Sequence, residues 1–379
     1  MKALILTMQC GECHNTVAKS VRDSLATNNI DSKIVDIFAS NPKLLKWNDK
    51  ANFFAKKYFP KIFNVIWNGE RKRNPNRRFK GTGYIQIKKV LTPILNTIKE
   101  YNPDFIVCTH NYASSIVSTL FYQNKLKHIP TFSFLLDYVV HPYWEDSILI
   151  DKVFTPHLLT HDALISKGFK ETQLEATGFP VHEKFNTPID KNEARKILDL
   201  KNKFTILSLG GGENQLNQIG LLKQLTKCNN FDESQIIFVC GKNKKNKLKL
   251  EKFVEKHHLT NIIVLGFVNT IKELICASDI VIASAGGGTI SEVLSLNTPL
   301  IIREKTTTNE TFNKNALIEN DVALGLDKLK DVKKVLSLLI DNPNKIKSMQ
   351  ENIQVFYYKN GLKNAVDEML KIMKKKTTK

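Results

Sequence analysis

The feature that most constrains the fold of this sequence is a unit repeated through its second half, in which a short apolar run ends in a polar or glycine-rich loop. Five such runs follow one another: FTILSLGGG (204–212), QIIFVCGKN (235–243), IIVLGF (262–267), DIVIASAGGG (279–288) and TPLIIRE (298–304). Short continuous apolar runs separated by helix-like stretches are typical of parallel strands buried on both faces. The pattern therefore predicts an α/β domain whose parallel sheet is covered by helices on both sides.

The first half of the chain has the same rhythm. Strands are predicted over 3–7, 33–37, 104–110, 130–137 and 152–156, and a helix over 15–28. We expect two Rossmann-like domains facing each other across a cleft, with the ligand site between the carboxyl ends of their strands. The polar, proline-containing stretch 178–202 marks the junction. The predicted divisions are an N-terminal domain (1–180), a linker (181–202), a C-terminal domain (203–350) and a lysine-rich helix (351–379) that packs back on the N-terminal domain.

Length and composition agree with this organisation. A chain of 379 residues suits two domains, and 42% apolar with 25% charged residues is typical of a globular protein. No apolar run approaches the ~20 residues that span a bilayer, and the opening MKALILTMQC is too short for a signal peptide. Six scattered cysteines do not form a disulfide framework, so we expect a reducing, cytoplasmic compartment.

The net charge of +19 predicts attraction to an anionic surface, either nucleic acid or acidic lipid. Most of the cations are lysines in an Asn- and Ile-rich chain, which makes arginine the more informative residue. Four of the seven arginines fall within eight positions: Arg71, Arg73, Arg77 and Arg78.

These arginines lie in a basic-aromatic segment, residues 52–90, with eleven Lys and Arg residues against one Glu and eight aromatic residues that include Phe53, Phe54 and Trp67. Aromatic and cationic side chains near helical spacing favour a segment that lies in a membrane interface. A core-facing helix followed by a solvated basic loop, or a nucleic-acid patch, fits the same composition.

The motif Cys10-Gly11-Glu12-Cys13-His14 has the C-x-x-C-H spacing of c-type haem attachment. Such attachment normally requires export, and the chain begins without an export signal, so we interpret the match as coincidental. Gly11 supplies a turn, and His14 falls between the first strand and the amino end of the first helix. The positive end of the helix dipole disfavours imidazolium there, as a general base requires. A histidine that only caps its own helix is the alternative.

Two glycine clusters stand at predicted strand ends, at 210–212 and 286–288, and the second leads into the helix TISEVLSL. Backbone N–H groups at such a turn suit a diphosphate. Neither cluster has the P-loop pattern, and neither is G-x-G-x-x-G in a first βαβ unit. Glu292, one turn into the helix, is placed to accept hydrogen bonds from ribose hydroxyls. Tight turns with no ligand are the alternative.

At this point the motifs resemble those of GT-B glycosyltransferases. The similarity is strongest to the family of monogalactosyldiacylglycerol synthases and bacterial diacylglycerol glucosyltransferases, which also includes the murein GlcNAc transferase. It runs in order from about residue 3 to about residue 320. The segments that carry it are LTMQCGECHNTVAKS (6–20), LLDYVVHPYW (135–144), TGFPV (177–181), VCGKN (239–243), LGFVNTIKELICASD (265–279) and SAGGGTISEVLSLNTPLII (284–302).

This resemblance implies a UDP-sugar in the C-terminal domain, an acceptor in the N-terminal domain, and inversion without a metal or other cofactor. The implied UDP-sugar contacts are Gly210, Gly211, Gly266, Phe267, Val268, Gly286, Gly287, Gly288, Thr289 and Glu292. Two departures bear on the donor. Ala285 replaces the usual proline, and Thr307-Thr308-Asn309-Glu310 replaces a Pro-Gly-Gln-Glu loop, where Asn309 and Glu310 still offer an amide and a carboxylate to the sugar.

Displacement at C1 of the sugar needs a base for the acceptor hydroxyl. We expect His14 in that role, with Asp137 as the rival. His141 and Trp144 are expected at the acceptor, and for Trp144 a packed aromatic side chain is the alternative. The predicted reaction transfers glucose or galactose from its UDP-sugar to 1,2-diacylglycerol, on anionic lipid at the inner face of the cell membrane and without a nucleic-acid partner. Another lipid acceptor, such as glycosylated diacylglycerol or a polyprenyl lipid, is the alternative enzyme activity. A basic nucleic-acid-binding or redox protein is the alternative from another class.

Overall fold

The structure is a computed structural model that describes residues 1–9, 12–41, 65, 69, 78–80, 82–210, 217–303 and 308–377. Its chain forms two compact units. The first unit combines Met1–Glu183 with Tyr358–Lys379, and the second is Lys184–Tyr357.

The first unit alternates strands and helices as predicted. Its strands are β1 (Lys2–Thr7), β2 (Asp31–Asp36), β3 (Phe105–Cys108), β4 (Thr131–Phe134), β5 (Lys152–Thr155) and β6 (Leu174–Ala176). Its helices are α1 (Cys13–Ala26), α2 (Thr82–Ile87), α3 (Leu91–Tyr101), α4 (Asn111–Tyr122), α5 (His161–Ser166) and α14 (Gly361–Thr377), with short 3-10 turns at Trp144–Ser147 and Leu158–Thr160.

The strands of this unit form one parallel sheet in the order β2-β1-β3-β4-β5-β6. Ala3 of β1 lies opposite Ser32 on one side and Phe105 on the other. The chain therefore leaves β1 in one direction and returns to its other side through β3. The carboxyl ends of β1 and β3 form the topological switch point, which is where ligands bind in open α/β sheets.

The second unit has the same construction. It contains α6 (Lys191–Ile197), β7 (Thr205–Leu209), α7 (Gln218–Leu225), β8 (Gln235–Val239), α8 (Lys244–Lys256), β9 (Ile262–Leu265), α9 (Ile271–Ala277), β10 (Ile280–Ala283), α10 (Gly287–Ser295), β11 (Leu300–Arg303), α11 (Thr308–Glu319), β12 (Ala323–Leu326), α12 (Val332–Ile340) and α13 (Pro343–Phe356). Its parallel sheet has the order β12-β11-β10-β7-β8-β9, so the switch point lies between β7 and β10.

The apolar residues of the predicted strands are buried in the core of each unit. Leu4 and Ile106 are fully buried in the first unit, and Ile206 and Ile282 in the second. Full burial of a side chain of this size contributes roughly 1.5–3 kcal/mol. The predicted strands are thus confirmed, while β6 and β12, one at an edge of each sheet, were not predicted.

The stretch predicted as a linker, 181–202, lies mostly within the second unit. Its helix α6 is held by Arg195, which is only 7% exposed. The guanidinium donates to the Ala277 carbonyl oxygen at 3.1 Å and to Asp279 Oδ2 at 2.8 Å. The buried Arg195–Asp279 ion pair therefore attaches this part of the stretch to the second unit.

Helix α14 belongs to the first unit, although it follows the second in the chain. Met369 and Met373 are buried, and Asn364 Nδ2 donates to the Thr177 carbonyl oxygen at 3.0 Å. The chain passes tightly at Gly178, where φ is +98° and a Cβ would lie 2.2 Å from the Tyr358 carbonyl oxygen. Glycine is therefore required at position 178.

Helices that could cross a bilayer were sought among the described residues. No helix among these residues is both long enough and apolar enough to do so.

Candidate functional site

His14 lies in the first turn of α1, just past the carboxyl end of β1. Its Nδ1 is 2.5 Å from the carbonyl oxygen of Thr109, the residue that follows β3. Because a carbonyl oxygen only accepts hydrogen bonds, Nδ1 carries the proton and the lone pair of the neutral ring is on Nε2. The His14 side chain is therefore oriented by the neighbouring strand at the switch point.

Burial lowers the pKa of His14 from its ordinary value of 6.5. The Thr109 carbonyl and the negative charge of Asp137 oppose this shift, and the charge of His141 adds to it. Desolvation is the largest effect, because an imidazolium loses more hydration than a neutral ring. His14 is thus neutral near pH 7, as a proton acceptor must be.

A second histidine, His110, lies beside His14 and was not predicted as a site residue. The two ring centroids are 4.6 Å apart with the planes inclined by 63°. Burial, followed by the charges of His14 and His141, lowers the pKa of His110 well below 6.5. A sequence signal existed, since His110 ends the apolar run 104–110 at a strand adjoining β1.

The loop after β4 brings two of the predicted residues together. His141 Nε2 lies 2.5 Å from Asp137 Oδ2, and both side chains are about one-fifth exposed. The Trp144 side chain is 2% exposed and packs edge-on against Phe169 in a hydrophobic cluster. Its role at the acceptor stays a prediction.

Several predicted residues lie outside the described residues: Cys10, Gly11, Phe53, Phe54, Trp67, Arg71, Arg73, Arg77 and Gly211. Arg78 is described and is only partly exposed. Its guanidinium lies over Gly168, where a Cβ would be 2.3 Å from Arg78 Nη2. The next residue, Phe79, donates its backbone N–H to Asp146 Oδ1 at 2.6 Å. This end of the basic-aromatic segment is therefore packed on the first unit.

In the second unit, Gly286 is the N-terminal cap of α10 and lies in the short loop that connects this helix to β10. Among the residues that the structure describes, and apart from Gly286 and its chain neighbours, no heavy atom lies within 4 Å of the place where a Gly286 Cβ would stand. The fully buried Asn313 donates from Nδ2 to the Ala285 carbonyl oxygen at 3.0 Å, which fixes the loop. Gly287, Gly288 and Thr289 form the first turn of α10. The N–H groups of a first turn have no acceptor within the helix and form the positive end of its dipole.

Glu292 follows in the same helix and is partly buried. Burial raises the pKa of this carboxyl from 4.5 to about 7, and the nearby Lys184 reduces the shift. No hydrogen bond to the Glu292 carboxylate comes from the residues that the structure describes. A carboxylate in this state has capacity to accept hydrogen bonds from hydroxyl groups of a ligand.

The remaining predicted donor residues follow other strands of the same sheet. Gly210, after β7, donates its N–H to the Val239 carbonyl oxygen at 2.9 Å, and a Cβ there would lie 2.8 Å from the same oxygen. Phe267, after β9, is 66% exposed, and Lys242 Nζ stands 6.0 Å from its ring centroid. The rest occupy nearby positions: Gly266 and Val268 flank Phe267, and Asn309 and Glu310 fall in the first turn of α11.

Two Rossmann-like units, the second with a glycine loop at its switch point, are the architecture of a GT-B glycosyltransferase. A solved structure of this fold, MurG of Acinetobacter baumannii, matches with a TM-score of 0.64 and 14% sequence identity. The match covers 98% of this chain and 99% of that chain. The predicted fold class is confirmed.

The sequence comparisons match each unit to glycosyltransferase families. Residues 14–181 match the monogalactosyldiacylglycerol (MGDG) synthase family, and residues 205–369 match the glycosyltransferase family 28 C-terminal domain. The processive diacylglycerol beta-glucosyltransferase of Bacillus pumilus is 26% identical, over 97% of this chain and 94% of that protein. The probable chloroplastic MGDG synthase of Glycine max is 25% identical, over 89% of this chain and 64% of that protein. The predicted resemblance to the MGDG synthase family and its glycosyltransferase relatives is confirmed, and the chain is a glycosyltransferase enzyme.

Proposed function

We propose that this enzyme transfers a hexose, glucose or galactose, from a UDP-sugar to the free hydroxyl of 1,2-diacylglycerol, with inversion at the anomeric carbon. The observation that carries the proposal is His14, a neutral histidine whose Nδ1–H is bound to the Thr109 carbonyl and whose Nε2 is left as the basic atom. It lies at the switch point of the unit that matches the MGDG synthase family. The names of the relatives from Bacillus pumilus and Glycine max support diacylglycerol as the acceptor.

In the proposed step the acceptor hydroxyl oxygen attacks C1 of the sugar. The new bond joins this oxygen to C1, the bond from C1 to the diphosphate oxygen breaks, and UDP leaves with the electron pair. The hydroxyl proton passes to Nε2 of His14, which is neutral and able to accept it. The Asp137–His141 pair lies close enough for its charges to act on His14, and Asp137 is the alternative base.

For the donor we propose the loop at Gly286 and the first turn of α10, where helix N–H groups would stabilise the charge that develops on the departing diphosphate. The open space beside Gly286 supports this placement, since a backbone without a Cβ allows close approach of phosphate oxygens. Glu292 would accept hydrogen bonds from the ribose hydroxyls, and the exposed ring of Phe267 would stack on the uracil.

We further propose that the enzyme works as a peripheral protein on anionic lipid. Support comes from the net charge of +19 and from the basic-aromatic segment of residues 52–90, whose composition suits a headgroup region. A water-soluble protein needs such an attraction to reach diacylglycerol, because this acceptor stays in the bilayer.

The test uses the purified chain, vesicles of phosphatidylglycerol with 1,2-diacylglycerol, and labelled UDP-glucose, UDP-galactose or UDP-N-acetylglucosamine in separate reactions. We expect one labelled hexosyl-diacylglycerol, with the β-anomeric proton coupling by NMR, and none from vesicles without diacylglycerol. No transfer from any of the donors would refute the proposal. Vesicles of phosphatidylcholine test the charge requirement, and equal rates on both lipids would refute the anionic-lipid part.

A product with two or more hexoses would favour the alternative acceptor, an already glycosylated diacylglycerol. The word "processive" in the name of the Bacillus pumilus relative is the observation that favours this second activity. Mass spectrometry of the extracted lipid distinguishes the two results.

A further inference from the structure

We propose that His110 is a positioning residue for the reaction: its ring holds His14 in the orientation that binds the Thr109 carbonyl and presents Nε2 as the base. The proposal rests on the role proposed above for His14. It follows from three contacts that meet at the carboxyl end of β3.

The first contact fixes His110 itself. His110 is the N-terminal cap of α4, with extended backbone (φ −143°, ψ 143°), and its Nδ1 accepts the Tyr112 backbone N–H at 3.1 Å. Nδ1 is therefore unprotonated, and in the neutral ring the proton is on Nε2. A second ring, that of Tyr112, stands 5.2 Å from the His110 ring centroid. The His110 ring is thus held by the first turn of a twelve-residue helix.

The second and third contacts act on His14. Thr109 accepts from Nδ1, and the next residue in the chain, His110, lies edge-on to the His14 ring at 4.6 Å. The two residues after β3 thus have separate effects on His14. The Thr109 carbonyl selects the tautomer, and the His110 ring restricts rotation of the His14 ring. Without the His110 ring, the His14 side chain gains rotamers in which Nε2 faces another direction. The rotamer that binds the Thr109 carbonyl and presents Nε2 as the base is then less populated.

The charged groups around His14 do not replace this contact. Asp137 and His141 lie after β4 and influence His14 through their charges, but neither carries a described hydrogen bond to its ring. The rings of His14, after β1, and His110, after β3, thus come from neighbouring strands, and His110 is the residue that restricts His14 by contact.

The experiment separates positioning from helix capping. Asn is among the best N-terminal capping residues, so His110→Asn keeps an acceptor for the Tyr112 N–H and removes the ring. The chain offers a matched control in His157, whose Nδ1 accepts the Leu159 N–H at 3.2 Å, again from extended backbone. Its ring lies against Tyr358. His157→Asn is the same change at a histidine cap with the same Nδ1 contact, here at the 3-10 turn Leu158–Thr160.

We expect His110→Asn to lower kcat by about tenfold or more, with the KM for the UDP-sugar within about twofold and Tm unchanged. His157→Asn should match the wild type in all three. In ¹⁵N-histidine NMR spectra the wild-type His14 should carry its proton on Nδ1, and His110→Asn should show averaging between the two nitrogens.

A wild-type kcat in well-folded His110→Asn would overturn the proposal. So would a reduced kcat with the Nδ1–H state of His14 fully kept, because His110 would then act by another route. The wild-type spectrum is an independent check that needs no variant, and a proton on Nε2 of His14 contradicts the geometry outright. If the wild type transfers no sugar, the proposed function fails, while the spectra still decide the arrangement of the two rings.

Discussion

Replacing Glu292 by glutamine should stabilise the second unit at alkaline pH while weakening donor binding. Burial raises the pKa of the Glu292 carboxyl from 4.5 to about 7. In the unfolded chain this group ionises near pH 4.5, but in the folded protein it stays protonated until about pH 7. The free-energy penalty for burying the charged carboxylate is therefore absent well below pH 4.5. It grows as the pH rises towards 7 and has its full value above that pH.

A shift of about 2.5 pKa units corresponds to about 3 kcal/mol at 1.36 kcal/mol per unit, as an upper value. Glu292→Gln keeps the shape and removes the charge, so its unfolding free energy at pH 8 should exceed that of the wild type by up to about 3 kcal/mol. For a unit of this size this raises Tm by about 2–4 °C per kcal/mol. The difference should vanish near pH 4.5.

Thermal and urea unfolding at pH 8 and pH 4.5, followed by circular dichroism, measure this directly. Glu255→Gln, at an exposed position on α8, is the control and should change neither value. Calorimetric titration with UDP-glucose should show about tenfold weaker binding for Glu292→Gln, because an amide accepts less strongly than a carboxylate. If Glu292→Gln is no more stable than the wild type at pH 8, or gains equally at both pH values, the desolvation argument is wrong.

Three further predictions follow from the structure. His14→Ala should abolish sugar transfer and leave calorimetric binding of the UDP-sugar nearly unchanged; near-normal turnover would move the base to Asp137. Gly178→Ala should lower the unfolding free energy by more than about 2 kcal/mol, since it combines φ +98° with a backbone clash, whereas the control Gly266→Ala meets only ordinary contacts beyond 3.7 Å. Arg195→Met should destabilise the second unit by about 3–5 kcal/mol in urea unfolding, because it breaks a buried ion pair; a loss below about 1 kcal/mol would contradict this.

The sheets could be predicted because parallel strands buried on both faces leave a strong sequence signal. The ten predicted strands are all long enough to show it. Strand β6 has three residues, and β12 is the sequence ALGL, which includes a glycine. Edge strands of this kind bury too little side chain to produce an apolar run, so only the pairing with a neighbouring strand identifies them.

The candidate site was predictable where it follows from strand ends. His14 and Asp137 follow different strands, and the carboxyl-end rule brought them to one edge without any structural information. His110 was missed because its contacts arise from packing: one is a helix cap, and the other is a ring from a distant part of the chain. The burial of Trp144 could not be predicted, since an aromatic residue near a loop looks the same in sequence whether it faces a ligand or the core.

From Tyr358 onward the chain belongs to the first unit again, and this determines the order in which the two units can finish folding during synthesis. Residues 1–183 leave the ribosome first, but α14 emerges only after the whole of the second unit. The apolar surface that Met369 and Met373 cover stays open until then. The second unit is continuous in the chain and can fold as soon as it emerges. The part of the enzyme that is made first is thus the part that is finished last, and it is the part that carries His14.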